Sequence, residues 1–268
     1  MHVQLRDILV HLDSSPQSAE RLALAVELAA RDGARLVGLF ARHGTPRRVG
    51  VVAIWPGEEY TQAAQLSRQH FAAATEKLAQ AEWRDANRGG DGEIIDSVVR
   101  AAQLADLVIL GQTLPEGHLV PADLPEQVML NSGRPVLVVP YTGCPASLGH
   151  RPIIAWNASK ESARAASDAL HVLPADAEAL VLLVLADGQE EDGEIVAHLR
   201  RHGLKAQTEN AHAGGIGLMD LLLNRVTDLG ADLLVMGGHA QYSVPLRTRG
   251  SGTRHILAHM TVPVLFSC

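Results

Sequence analysis

Polar and apolar positions run the same course twice along this chain. The stretch DILVHLDSSPQSAERLALAVELAARDGARLVGLFA (7–41) opens on an apolar run, turns through polar residues, continues as an alanine-rich segment and ends on a second apolar run. PIIAWNASKESARAASDALHVLPADAEALVLLVLA (152–186) repeats that order. The closing segments match as well: ADLVILGQ (105–112) leads to RPVLVVP (134–140), and ADLLVMGG (231–238) leads to VPVLFSC (262–268). Self-similarity at this spacing marks two copies of one α/β unit, whose equivalent positions can be compared with each other.

The uniformly apolar runs predict strands buried on both faces, and segments with apolar residues three and four apart predict helices. In the first half the strands fall over 8–12, 35–39, 107–110 and 136–139, with helices over 16–31, 60–83 and 93–103. Ser15 and Pro16 signal the first helix start, a hydroxyl for the orphan amides followed by a residue pre-set for the first turn. In the second half the strands fall over 153–156, 180–185, 233–236 and 264–266. Helices there begin at Lys160 and Ser251 and cover 194–202 and 218–229. The Pro- and Gly-rich stretches 43–57 and 114–125 read as loops. Strands alternating with helices predict a parallel sheet with right-handed crossovers in each half. By composition, 1–142 is one domain, 143–150 (within YTGCPASLGH) is a linker, and 151–268 is the second domain.

Composition narrows the function. At 268 residues and 47% apolar, each half is large enough for its own core. A net charge of -7 and 3% aromatic residues argue against a nucleic-acid partner, which calls for a basic surface and, for single strands, stacking rings. No apolar run reaches membrane-spanning length and MHVQLRD lacks the apolar core of a signal peptide, so no membrane partner is expected. Cys144 and Cys268 give no disulfide framework, and the expected compartment is the cytoplasm. Catalytic groups are thinly supplied. The lysines Lys77, Lys160 and Lys205 lie in no Gly-Lys-[Ser/Thr] loop, and there is no Gly-x-Ser-x-Gly elbow. His198 with His202, and His255 with His259, have the spacing of zinc ligands on a helix. No HExxH glutamate or cysteine cluster accompanies them, so solvated helix faces are expected and no metal site is assigned.

In an open parallel sheet, ligands bind beyond the carboxyl ends of the strands where the strand order switches direction. In the second half those ends carry Trp156-Asn157-Ala158-Ser159 and Met236-Gly237-Gly238-His239-Ala240. QYSVPLRTR follows the latter, and Gly250-Ser251-Gly252-Thr253 then opens a helix. Glycines let amides approach a phosphate, a helix start favours negative charge, and the Ser and Thr hydroxyls add donors. Plainer readings stand beside each: Gly237 and Gly250 as turn residues, Asn157 as a helix cap, His239 as a surface loop residue, Arg247 and Arg249 as solvated charges.

On these residues the chain resembles the tandem universal stress proteins over nearly its whole length. Nucleotide-binding members of that family carry Gly-x2-Gly-x9-Gly-[Ser/Thr] after the fourth strand. Gly237 takes the first position, Ala240 stands for the second glycine, and Gly250-Ser251 completes the pattern. The family's acidic residue after the first strand corresponds to Asp13 in the first half and Asn157 in the second. The resemblance implies a flavodoxin-like, doubly wound, five-stranded parallel sheet in each half, the two final strands meeting at a pseudo-twofold. It also implies a non-enzymatic stress-response protein that takes an adenine nucleotide such as ATP, with Mg as an expected companion, an unidentified protein partner and a homodimer. In the first half Gly111 is followed at the motif spacings by Leu114, Leu124 and Pro125, which leaves no phosphate loop, and Asp13 falls to helix capping. In the second half Asn157 brings no charge to a metal, and an Ala240 forced into a left-handed conformation costs about 1–2 kcal/mol. The expectation is therefore weak nucleotide binding in the second half alone, through Asn157, Gly237, Gly238, His239, Ala240, Gly250, Ser251, Gly252 and Thr253. Bound nucleotide would order 241–249 as the signal. An interaction module without nucleotide and a slow ATPase are the alternatives.

Overall fold

Each apolar run of the repeat becomes a parallel strand, and the crossovers decide which strands lie together. The computed structural model describes residues 4–49, 51–113, 119–144, 148–184, 193–211, 217–238 and 251–268. The chain begins β1 (Asp7–Leu12), α1 (Ser18–Asp32), β2 (Arg35–Phe40), β3 (Arg47–Val49), β4 (Val52–Ile54), α2 (Glu58–Ala74) and β5 (Ala81–Asp85). It continues α3 (Asp91–Ala102), β6 (Leu107–Gly111), α4 (Leu124–Ser132) and β7 (Val136–Val139). The second half follows as β8 (Pro152–Trp156), α5 (Lys160–Val172), β9 (Glu178–Leu183), α6 (Glu194–Arg201) and β10 (Lys205–Asn210). It closes with α7 (Leu218–Asp228), β11 (Leu233–Gly237), α8 (Ser251–His259) and β12 (Val264–Ser267). Contacts divide the chain within β7, into Leu5–Val136 and Leu137–Cys268.

The first unit has the strand order β6-β1-β2-β5, and the second β10-β9-β8-β11-β12. The strands within each run in parallel. In both, the chain steps outward from its first strand, then returns to that strand's other side. The switch points therefore lie between β1 and β6 and between β8 and β11. Right-handed crossovers put the first two helices of a unit on one face and the last two on the other, and α1 touches α2, α3 touches α4 and α7 touches α8. Among the described residues no helix is long and apolar enough to cross a membrane.

The repeat holds at the level of individual bonds. Ile8 pairs with Leu107 in the first unit and Pro152 with Leu233 in the second, so Asp13 and Asn157 stand equally far beyond equivalent ladder positions. The aspartate of each ADL motif clamps the entry to the first strand. Asp106 Oδ2 accepts from the amides of Arg6 and Asp7 at 2.7 and 2.9 Å. Asp232 accepts from the amides of His150 and Arg151 at 2.9 and 3.0 Å.

The structure departs from the sequence reading in several places. The helix expected over 60–83 ends at Ala74, and β5 follows it; β10 is likewise a strand where none was read. Both are outer strands of their unit with largely exposed side chains, so the apolar run that betrays a central strand is missing. The stretch read as a loop over 43–57 holds the antiparallel hairpin β3–β4. Its base is anchored by Trp55, whose Nε1 donates to the Asn87 carbonyl at 2.9 Å and whose ring lies 4.9 Å from that of Tyr60. The stretch read as a loop up to 125 gives way to α4 at Leu124, with Pro125 in its first turn where proline is tolerated.

Candidate functional site

At the end of β1 the backbone turns into α1, and Asp13 closes the turn. Its Oδ1 accepts from the Ser15 amide at 2.8 Å and from the Ser15 hydroxyl at 2.5 Å. Ser15 thus turns back to Asp13 instead of capping α1, whose cap residue is Gln17, without a side-chain capping bond. Asp13 does not cap the helix either. Its Oδ2 takes the Arg21 guanidinium at 3.0 Å, and both side chains are buried, 8% and 3% exposed. Arg21 also donates from Nε to the His11 carbonyl at 3.1 Å. Its guanidinium reaches the end of β6, where a Cβ added to Gly111 would lie 2.1 Å from an Arg21 terminal nitrogen. One side chain therefore spans the switch point of the first unit.

Burial alone would raise the Asp13 pKa, but the Arg21 charge and the Ser15 bonds outweigh it and hold the carboxyl at about 2. Beside it His11 is buried and donates from Nε2 to the Ala41 carbonyl at 2.7 Å. Burial, reinforced by Arg21, lowers the pKa of His11, so its imidazole is neutral at pH 7.

The second unit builds the same turn with different consequences. Asn157 Oδ1 accepts from the Ser159 amide at 3.3 Å and its hydroxyl at 2.7 Å, as Asp13 does from Ser15. Here Ser159 is also the helix cap, accepting from the Ser162 amide at 3.1 Å, so the capping role weighed for Asn157 belongs to Ser159. The residue equivalent to Arg21 is Ala165, fully buried. Asn157 is half-buried, and its Nδ2 has no partner among the described residues.

The glycines at the end of β11 are explained by packing and by the sheet ladder. A Cβ on Gly237 would lie 2.7 Å from Glu161 Cβ, 2.8 Å from the Glu161 carbonyl carbon and 2.9 Å from the Ser162 nitrogen, so its absence lets α5 press against the strand end. Gly238 spends its amide on the Ser267 carbonyl at 2.7 Å. Gly252 lies in α8 where a Cβ would come within 3.1 Å of the Met219 sulfur, and Thr253 is buried. Asn157 and Gly238 each follow directly on the ends of the neighbouring strands β8 and β11, and Ser251 opens α8. His239, Ala240, Gly250 and the intervening 241–249, with Arg247 and Arg249, lie outside the described residues, as do Leu114 and the Ser251 side chain.

Sequence reasoning missed Arg21. Its signal was present: Arg21 begins the buried stripe that continues through Leu24, Ala25 and Leu28, a charge at the head of an apolar face. A cation so near a helix start also opposes the helix dipole and calls for a specific partner. Of the two histidine pairs, His255 meets an acidic neighbour on the exposed helix face, with its Nε2 and Asp220 Oδ1 2.8 Å apart. Among the described residues no group of three or more His, Cys, Asp or Glu is placed to hold a metal ion.

No curated protein matches the chain in sequence. A solved universal stress protein from Archaeoglobus fulgidus DSM 4304 is similar in fold, with a TM-score of 0.61 at 17% identity, covering 97% of each chain. A functionally unknown protein from Pseudomonas aeruginosa PAO1 is similar with a TM-score of 0.54 at 14% identity, covering 98% of this chain and 92% of its own. Residues 4–140, half of the chain, match the universal stress protein family model. With two doubly wound units built on one turn-and-clamp frame, the chain belongs to the universal stress protein family.

Proposed function

We propose that this is a non-enzymatic stress-response protein whose second unit binds an adenine nucleotide weakly and serves as a sensor or regulator. One observation carries the reading: at equivalent switch points, the Asp13 carboxylate is paired with Arg21, whereas the Asn157 amide nitrogen has no partner among the described residues and the position of Arg21 is taken by Ala165. Asn157 Nδ2 suits a ribose hydroxyl oxygen, and the start of α8 at Ser251, preceded by Gly250, suits a phosphate. The commitment of Gly237 and Gly238 to packing and the ladder leaves fewer phosphate donors, which fits weak binding. Bound nucleotide would alter the surface offered to a protein partner or a second copy. With Asn157 in place of an acid, magnesium is held by the nucleotide phosphates and a slow ATPase is disfavoured.

The test is calorimetric titration of the full chain with ATP and magnesium at one salt concentration, after acid extraction to detect co-purified nucleotide. At most one equivalent per chain is expected. Asn157→Ala should weaken binding by about 2- to 10-fold, the worth of one net hydrogen bond. Absence of any heat and of any extracted nucleotide would turn the assignment to the second reading, an interaction module. That reading is favoured by the fact that packing alone accounts for Gly237.

A further inference from the structure

We infer that Arg21 is a built-in occupant of the first unit's nucleoside crevice and closes that half to the ligand taken by the second. For its ligand class the inference rests on the reading above. The guanidinium lies where an open α/β sheet receives ligands, touching the end of β1 through the His11 carbonyl and reaching Gly111 at the end of β6. It takes the Asp13 oxygen that Ser15 leaves over, so both carboxylate oxygens are engaged within the unit before a ribose hydroxyl could reach them. It also takes the space, since even a methyl on Gly111 would collide with it.

The fold itself does not need this arginine. The second unit builds the same turn, with Ser159 bonded to Asn157 as Ser15 is to Asp13, and carries Ala165 where Arg21 stands. A residue kept only for packing on that stripe would be apolar, like Leu24 and Leu28 beyond it. A buried guanidinium at a helix start works against both desolvation and the helix dipole, and it is compensated by the Asp13 carboxylate it neutralises and the His11 carbonyl it bonds. Loss of the phosphate loop at Leu124 and Pro125 would weaken nucleotide binding in this half, but Arg21 excludes even the nucleoside.

The test replaces the pair with the one the second unit already carries, Asp13→Asn with Arg21→Ala. Arg21→Ala alone leaves a buried carboxylate unpaired and is prone to misfold; the double variant does not, and circular dichroism with tryptophan emission checks it. Adenosine is the probe, because the first half has no phosphate loop, and calorimetry on the full chain counts equivalents. A rise from one equivalent in the parent to two in the variant supports both the occupant role and the second-unit site. A rise from none to one supports the occupant role, and the ATP titration above then decides the second-unit reading. One equivalent in both proteins overturns the occupant role. None in either overturns the occupant role, and the ATP titration again decides the second-unit reading.

Discussion

Removing the Asp13 carboxylate tests how the first unit is held together. Asp13→Asn leaves the Arg21 guanidinium, 3% exposed in the parent, without its counter-charge. Breaking a buried pair by deleting one partner costs about 3–5 kcal/mol, because the remaining charge has lost its compensation. The proton linkage supplies a second, pH-dependent number. Asp13 titrates near 3.8 when free and at about 2 in the folded protein, a difference worth about 2.5 kcal/mol at 1.36 kcal/mol per pKa unit. Since the folded pKa is the lower one, this stability is fully present above pH 3.8 and drains away as pH falls through 2. Urea unfolding of the full chain reads it when Trp156→Phe leaves Trp55 and Trp83 as reporters, both in the first unit. The parent should exceed Asp13→Asn by about 3–5 kcal/mol at pH 7, and acidification from pH 5 to 2 should close most of 2.5 kcal/mol of that gap. A gap below about 1 kcal/mol at pH 7, or one that does not change with acid, refutes the account.

Further outcomes are expected at three residues. Gly237→Ala should lower thermal stability by about 1–3 kcal/mol with or without nucleotide, because its methyl meets the Glu161 backbone, which cannot swing aside; calorimetric scans with and without ATP check this. Tyr60→Phe should cost about 1.5–3 kcal/mol in the same urea assay, since its hydroxyl donates to Asp85 at 2.6 Å. Burial and that same carboxylate raise the pKa of Tyr60, so stepwise alkaline titration at 295 nm should show one tyrosine ionising later than free tyrosine and absent from the variant. The Cys268 thiol, pushed up to about 11 mainly by burial, should react slowly with a disulfide reagent at pH 8, and a rate matching that of a free thiol would count against it.

What the sequence made legible was set by burial. The central strands β1, β2, β6, β8, β9 and β11 are almost entirely buried, so they are written as unbroken apolar runs and were read to within about two residues. The outer strands are different. AEWRD and KAQTEN are held by one neighbour within their unit and face solvent, so nothing in their hydropathy distinguishes them from a helix surface or a loop. The hairpin β3–β4 is exposed along β4, and its order comes from Trp55 at the base, packed on Tyr60 in space left by Gly44 and Gly89. Such a contact, distant in sequence, leaves no periodic trace.

At the candidate site the limit was of another kind. Motif spacing identified Asp13 and Asn157 as equivalent, and the ladder registers place them so. Spacing says nothing, however, about which side chain occupies the crevice between two strand ends. The difference between the halves lies at position 21 against position 165, inside helices whose alanine-rich patterns are otherwise alike. Read as helix, Arg21 is one charge in an amphipathic segment; read against Ala165, it is a charge on the buried face, opposite the one carboxylate that needs it. Comparison between the halves thus locates the proposed asymmetry at a residue that no motif contains. On that proposal, the glycines of the phosphate loop bear on how tightly a site binds, and the occupant of the crevice on whether a nucleoside enters at all.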